Sequence, residues 1–201
     1  MDAAVDKIAF AIILVARGEN GAVMARPAVV DAVVHLGRVA VGDESMVSVG
    51  VAFASIAQLD PARALVARDG VRDALVAMGR RTEGVAGWVA FAIAVDAIAA
   101  ADAGRRVMAT REVRELLVAF GRALADGRVA DPGVLPRAAM CLTVASAVAN
   151  VASGVEGLRA MGTEAVCHML EGVGRVAGEL EDGGNALDQV EAALTLLVAL
   201  I

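Results

Sequence analysis

The sequence predicts an all-α fold, specifically a short α-solenoid built from repeating units of about 42 residues. Two unrelated sequence markers recur at that same spacing along the chain. No apolar–polar alternation of the kind found in half-buried strands is sustained, although valine is abundant. A fixed period of about 20–50 residues is typical of stacked repeat proteins. We therefore expect residues 1–201 to form a single helical repeat domain.

The first marker is a segment that ends in a Gly-Arg pair. Three copies are closely similar and the fourth is looser: residues 31–38, 73–80, 115–122 and 168–175. The Gly-Arg pairs begin at positions 37, 79, 121 and 174, so the offsets are 42, 42 and 53 residues. This spacing predicts one helix with the same role in each unit.

The second marker is an Ala-rich segment that ends in an aliphatic residue followed by alanine. The pairs are Val15-Ala16, Ile56-Ala57, Ile98-Ala99 and Val151-Ala152, with offsets of 41, 42 and 53 residues. Both markers have the same long last step, so the additional residues are expected between Arg122 and the next helix. Residues 126–136 hold two prolines and two glycines, a composition typical of a loop.

Each period is predicted to contain a helix, a short helix and an amphipathic helix. Asp60-Pro61 fits an N-cap and first residue of a short helix, and Val71, Leu75 and Met78 lie at helical spacing on the amphipathic one. The Ala-rich helices are expected near 3–16, 46–58, 85–101, 135–152 and 186–200. The units then run roughly over 1–42, 43–84, 85–131 and 132–182, with a partial unit at 183–201.

Three helices per period, one of them short, resemble the armadillo repeat. Residues 16–20 are similar to the exit of its third helix, residues 68–71 to its link into the second helix, and residues 144–152 to its third-helix pattern. The resemblance covers nearly the whole chain. It implies a right-handed α-solenoid of about four armadillo-like three-helix repeats with incomplete terminal repeats, whose third helices line a concave groove.

The groove departs from the pattern of the nuclear-import adaptors in this family, where a Trp and an Asn one turn later recur on each third helix. The position of that Trp is occupied by Phe10, Val51, Ile93 and Ser146. The position of that Asn is occupied by Leu14, Ser55, Ala97 and Asn150, so only Asn150 matches. Recognition of basic import signals through a ladder of Asn residues is therefore not expected.

A long groove of this kind binds an extended peptide or a helix of another protein, so the sequence predicts a non-catalytic interaction scaffold or adaptor. Trp88 fits either a binding anchor or a packed residue between repeats. The candidate groove residues are Val51, Ser55, Trp88, Ile93, Asp96, Ser146 and Asn150.

The two ends of the chain suggest an alternative function. The chain begins and stops on a predicted third helix, and residues 191–201 are mostly apolar. Soluble solenoids need polar capping repeats, and exposed apolar surface marks interaction sites. The ends are therefore compatible with a fragment of a longer array, or with a structural subunit that self-associates end to end through its terminal helices.

The arginines of the four Gly-Arg pairs are predicted to form a row along one face of the repeats, which we call the arginine ladder. Its role has two interpretations. Arg38, Arg80, Arg122 and Arg175 could bind an acidic segment, or could lie at helix ends where the macrodipole favours a cation.

Composition argues against several other classes. The net charge of −6 disfavours a nucleic-acid partner. The chain has two histidines, no tyrosine and no phosphate-binding motif. The sequence therefore predicts neither an enzyme nor a bound cofactor. Cys141, Cys167 and His168 fit buried thiols and an ordinary histidine better than a metal site.

The expected location is cytoplasmic. The two cysteines fit no disulfide framework, and acidic residues stand at the N-terminus where a secretory signal needs positive charge. A small helical membrane protein is the rival, because 85–101 and 138–153 are apolar. Both stretches are shorter than the roughly 20 residues that a membrane span needs, so no membrane association is predicted.

Overall fold

The computed structural model describes residues 2–19, 21–82, 84–129 and 136–198, and these residues are helical with short connections and no strand. The all-α prediction is confirmed. Residues 130–135, within the predicted loop, and 199–201, at the predicted C-terminal helix, lie outside the described part.

The first set of helices occupies the places expected for the Ala-rich segments, and we call these five the Ala-rich helices. Each of them contacts the next one in chain order. Their bounds are α1 (Asp2–Arg17), α3 (Asp43–Ala57), α6 (Val85–Ala99), α9 (Arg137–Ala152) and α12 (Gly184–Val198).

The second set contains the amphipathic helices, which also contact one another in chain order. Pro27 begins the first of them, a position where the missing N–H of proline costs nothing. In the third, Val113, Leu117, Phe120 and Leu124 are buried along one side. Their bounds are α2 (Pro27–Val39), α5 (Asp69–Arg81), α8 (Arg111–Ala125) and α11 (Glu164–Gly178).

Short helical segments connect the two sets. The bounds are a 3-10 turn at Gly21–Met24, a 3-10 turn at Asp60–Ala62 that continues into α4 (Arg63–Val66), α7 (Asp102–Met108) and α10 (Val155–Met161). Asp60 is not the N-cap that its sequence suggests. Leu59 precedes the helical turn, and the Asp60 carboxylate instead pairs with Arg63 at 2.9 Å, because Asp60 already lies within the turn.

The extra length between the third and fourth Ala-rich helices follows α8. Gly127 has a φ of +69°, and Arg128 N donates to the Ala123 carbonyl at 3.0 Å. This left-handed glycine and the 6→1 hydrogen bond form a Schellman ending that stops α8. The inserted residues therefore start beyond a terminated helix, and α8 has 15 residues, as many as α11 and two more than α2 and α5.

The core is continuous from Val5 in α1 to Leu197 in α12. Small residues let the Ala-rich helices approach closely. At one corresponding position, α1 carries Ala9, α3 carries Gly50, α6 carries Ala92 and α9 carries Ala145, and all four residues are buried. Because alanine and glycine keep the helix axes near, the three central Ala-rich helices α3, α6 and α9 are more deeply buried than α1 and α12.

No single helix in the described residues is long and apolar enough to cross a membrane. One bent pair, Asp43–Ala57 with Asp60–Val66 at 104°, meets the length and composition criterion when its parts are taken together.

Candidate protein-binding face

One stripe of partly accessible side chains runs along corresponding positions of α3, α6 and α9. We call it the open face and define it by Val51, Ile93, Ala97, Ser146 and Asn150, all half-buried. At the corresponding positions of α1, Phe10 is 55% exposed and Leu14 is 59% exposed. The apolar side chains are therefore most accessible at the α1 end.

Between α6 and α9 the open face carries a polar cluster. The Asp96 Oδ1 atom of α6 accepts hydrogen bonds from Ser146 Oγ and Asn150 Nδ2 of α9, each at 2.7 Å. Hydrogen bonds to a charged acceptor are stronger than neutral ones. The cluster thus fixes the orientation of Asn150 and presents carboxylate and amide oxygens, which suit an incoming N–H donor.

Two further polar contacts join α1 to α3. Arg17 Nε donates to Ser55 Oγ at 3.3 Å, and Ser48 Oγ donates to the Asp6 carboxylate. Ser55 itself is only 3% exposed. Ser55 therefore stabilises the contact between neighbouring helices, and Arg17 is the accessible group at that position.

Trp88 lies on a different side of α6 from the open face. Its ring packs edge-to-face on Phe120 of α8, with centroids 5.6 Å apart and planes at 75°. Its indole N–H points at the Thr82 carbonyl oxygen at 3.5 Å. These contacts make Trp88 a half-buried packing residue between α6 and α8, the second of the two interpretations of its sequence position.

The candidate residues from the sequence thus separate into three groups. Asp96, Ser146 and Asn150 form one hydrogen-bonded cluster, and Val51 and Ile93 line the same face. Ser55 is buried, and Trp88 is half-buried on another side of α6. Sequence reasoning did not select Phe10, Leu14 or Arg17 as candidates. The first two could have been found, because they occupy the same register positions as Val51 and Ser55.

In each Gly-Arg pair, the glycine packs against other helices and the arginine is exposed to solvent. The four glycines are buried and the four arginines are exposed. A Cβ atom on any of these glycines would approach a large side chain of the following Ala-rich helix. The distances would be 3.5 Å from Gly37 to Val49 Cγ1, 3.2 Å from Gly79 to Phe91 Cδ2, 3.4 Å from Gly121 to Val144 Cγ1 and 3.0 Å from Gly174 to Val190 Cγ1. Helix contact therefore disfavours a side chain at Gly79, Gly121 and Gly174, where the closest neighbours of the added Cβ atom are Leu116, Met169 and Val190 respectively. At Gly37 every neighbour lies at ordinary contact distance.

The thiols are in apolar surroundings. Cys141 is fully buried and Cys167 half-buried. Burial raises the pKa of both thiols above the usual value, and the nearby Glu171 raises that of Cys167 further. Among the residues described, no group of three or more His, Cys, Asp or Glu side chains is placed to hold a metal ion.

No protein-family model, curated protein or solved structure matches this chain. Its function must therefore be inferred from the geometry of the open face and of the helix ends.

Proposed function

We propose that the chain is a right-handed armadillo-like α-solenoid that binds a peptide or helix of a partner protein along the open face. The solenoid is supported by three parallel series of contacts. The Ala-rich helices contact one another in order, the amphipathic helices do so as well, and α4, α7 and α10 form a third series. Three helices per unit is the arrangement of the armadillo repeat.

The observation that carries the binding function is the change in chemistry along the open face. Phe10, Leu14 and Val51 offer apolar side chains on α1 and α3, whereas Asp96, Ser146 and Asn150 offer hydrogen-bond acceptors on α6 and α9. A partner segment with apolar residues followed by N–H or cationic donors is complementary to this order. The net charge of −6 also favours a basic partner over an acidic one.

The proposal includes a non-catalytic role in a cytoplasmic, reducing compartment. Unpaired thiols with raised pKa values form little thiolate at neutral pH, so they are poor nucleophiles. The accessible side chains of the open face are suited to holding a ligand by contact and hydrogen bonding.

The test is selection of linear peptides from a random library displayed on phage, with the intact chain immobilised. Selected peptides are then measured by fluorescence anisotropy against the wild type and a Val51→Glu, Asn150→Ala variant. We expect binding to weaken at least about tenfold, which is about 1.4 kcal/mol, because the variant removes one apolar and one polar contact from the face.

Val155→Ala is the matched control, since Val155 is 70% exposed on α10 and lies outside the open face. Its affinity should equal that of the wild type. Peptides that bind the open-face variant as tightly as the wild type would disprove this binding site. Circular dichroism must show unchanged helicity for both variants.

A second candidate function, self-association through a terminal helix, is favoured by the exposed apolar residues of α1.

A further inference from the structure

A cleft lies between the amphipathic helices α8 and α11, on a different set of helices from the open face. Its volume is about 340 Å³. Val118 in its wall is buried, whereas Arg122, which belongs to the arginine ladder, is exposed. We call it the α8–α11 cleft and define it by Arg114, Glu115, Val118, Arg122, Thr163 and Ala165.

The preceding pair of amphipathic helices forms an equivalent cleft of about 430 Å³, which we call the α5–α8 cleft. Its lining residues stand at the same repeat positions, 42 residues earlier on the first helix and 53 residues earlier at the second. Arg80 takes the place of Arg122, and Glu112 takes the place of Ala165. Both clefts lie between successive helices of the array, so neither is an end surface.

The helices that complete the two clefts differ in charge. Helix α8 completes the α5–α8 cleft and carries Glu112 and Glu115 in its first two turns. Helix α11 completes the α8–α11 cleft, and its equivalent residues are Ala165 and His168. The two glutamates that α11 does have are not among the residues that line the cleft. The later cleft therefore has neutral residues where the earlier one has carboxylates.

The α8–α11 cleft is locally cationic. Glu115, its one acidic lining residue, is paired at 2.6 Å with Arg111, which does not line the cleft. Arg114 donates to the Ala160 carbonyl oxygen at 2.9 Å, a neutral acceptor that leaves its charge uncompensated. Within the described part of the chain, Arg122 forms no side-chain hydrogen bond or ion pair, in contrast to its two arginine neighbours on α8. Its guanidinium donors are therefore available to a ligand.

This surroundings favours a carboxylate as the ligand. The net charge of −6 belongs to the whole chain, but salt screens distant charges beyond about 8 Å, so the arginines at the cleft dominate inside it. A guanidinium binds a carboxylate through two parallel N–H donors. The first unit shows the same chemistry at the equivalent place, where Arg68 stands at the threonine position and meets the Asp31 carboxylate at 2.6 Å. The apolar Val118 beside Arg122 suits the carbon chain of an acidic side chain better than a free inorganic anion.

We propose that the α8–α11 cleft binds an acidic segment of a partner protein, with one carboxylate of that segment held by Arg122. The inference goes beyond the proposed binding at the open face, because it uses other helices and the opposite charge preference. It holds whether or not the open face binds a peptide. The α5–α8 cleft is the internal comparison, since it has an equivalent arginine but also Glu112 in its wall.

The test is a second selection of phage-displayed linear peptides, on the chain that carries Val51→Glu and Asn150→Ala in the open face. We expect the selected peptides to be rich in Asp and Glu. Peptides that this selection shares with the selection on the wild type are assigned to the cleft, and the open face is judged on the remainder. Fluorescence anisotropy on the same background should show that Arg122→Gln weakens binding about fivefold or more. Added salt should also weaken it.

Arg80→Gln is the matched control, because it removes the same charge from the equivalent exposed position of the α5–α8 cleft. It should change the affinity less than about twofold, since the net charge of the protein changes equally in both variants. Circular dichroism checks that both variants keep their helicity. Equal losses for Arg80→Gln and Arg122→Gln would overturn the proposal, because the attraction would then be unspecific.

A second pair of variants separates charge from shape. Ala165→Glu copies Glu112 into the α8–α11 cleft and should weaken binding as much as Arg122→Gln does. Ala165→Gln has nearly the same size without the charge and should weaken it clearly less. Equal losses for these two variants, or a selection that returns no acidic peptides, would also overturn the proposal.

Discussion

At the scale of single residues, the fold depends on small residues at the contacts between neighbouring helices. Gly50 of α3 faces the backbone of α6. A Cβ atom built on it would lie 2.7 Å from the Ala90 carbonyl oxygen and 2.8 Å from Ala90 Cβ. Backbone atoms cannot swing aside as the end of a flexible side chain can. The absence of a side chain at position 50 therefore sets the distance between α3 and α6.

Replacing Gly50 with alanine is expected to lower the free energy of unfolding by about 1–3 kcal/mol, the usual cost of overpacking a close helix contact. Gly70→Ala is the matched control, because nothing lies within 4 Å of its Cβ position in α5. It should be neutral or stabilise by up to about 1 kcal/mol, since alanine favours the helix. Urea unfolding measures both. Equal stability of the two variants would contradict the contact.

At the scale of helices, arginine side chains join the end of one element to the side of another. Arg114 of α8 donates to the Ala160 carbonyl oxygen near the end of α10 at 2.9 Å. Arg137 of α9 donates in the same way to the Leu124 carbonyl oxygen of α8 at 2.7 Å. The last carbonyls of a helix lack an intrahelical donor and carry the negative end of its dipole. Arg114 satisfies such a carbonyl, whereas Arg137 adds a second donor to the Leu124 carbonyl, which also accepts from Gly127 N at 3.2 Å. Both arginines link neighbouring helices.

Arg114→Met is therefore expected to lower the free energy of unfolding by about 1–2 kcal/mol, because methionine keeps much of the apolar stem but loses the charged donor. Arg111→Met is the control. Arg111 forms an exposed pair with Glu115 at 2.6 Å, and a surface pair of this kind contributes little to stability. Chemical denaturation of both variants gives the comparison. A larger loss for Arg111→Met would refute the role assigned to Arg114.

At the scale of the whole molecule, burial is graded along the chain. Helices α3, α6 and α9 each contact an Ala-rich helix on both sides, whereas in the described structure α1 and α12 contact one on a single side. More neighbouring helices must therefore separate before a backbone amide of α3, α6 or α9 is exposed to solvent. Local opening should cost more free energy there.

Amide hydrogen exchange followed by mass spectrometry should show this grading. We expect the slowest exchange in α3, α6 and α9 and faster exchange in α12. Helix α1 should also exchange faster than these three, because in the described structure it contacts an Ala-rich helix on one side only. Uniform exchange rates across the Ala-rich helices would instead indicate a single cooperative unit.

The sequence by itself determined the all-α class and the approximate places of the Ala-rich and amphipathic helices. Helical spacing, proline at the start of α2 and alanine content act between residues close in sequence, so they can be read without a structure.

Only the tertiary structure decided which side chains meet. Asp96 contacts Ser146 and Asn150, 50 and 54 residues away, because α6 lies against α9. Trp88 packs on Phe120, although its sequence position also fitted a binding anchor. Ile8 and Val15 of α1 are exposed, although their equivalents in the other Ala-rich helices are buried. Local patterns fix each helix, but the rotation of one helix against another depends on small residues such as Gly50, and that rotation decides which surface remains exposed.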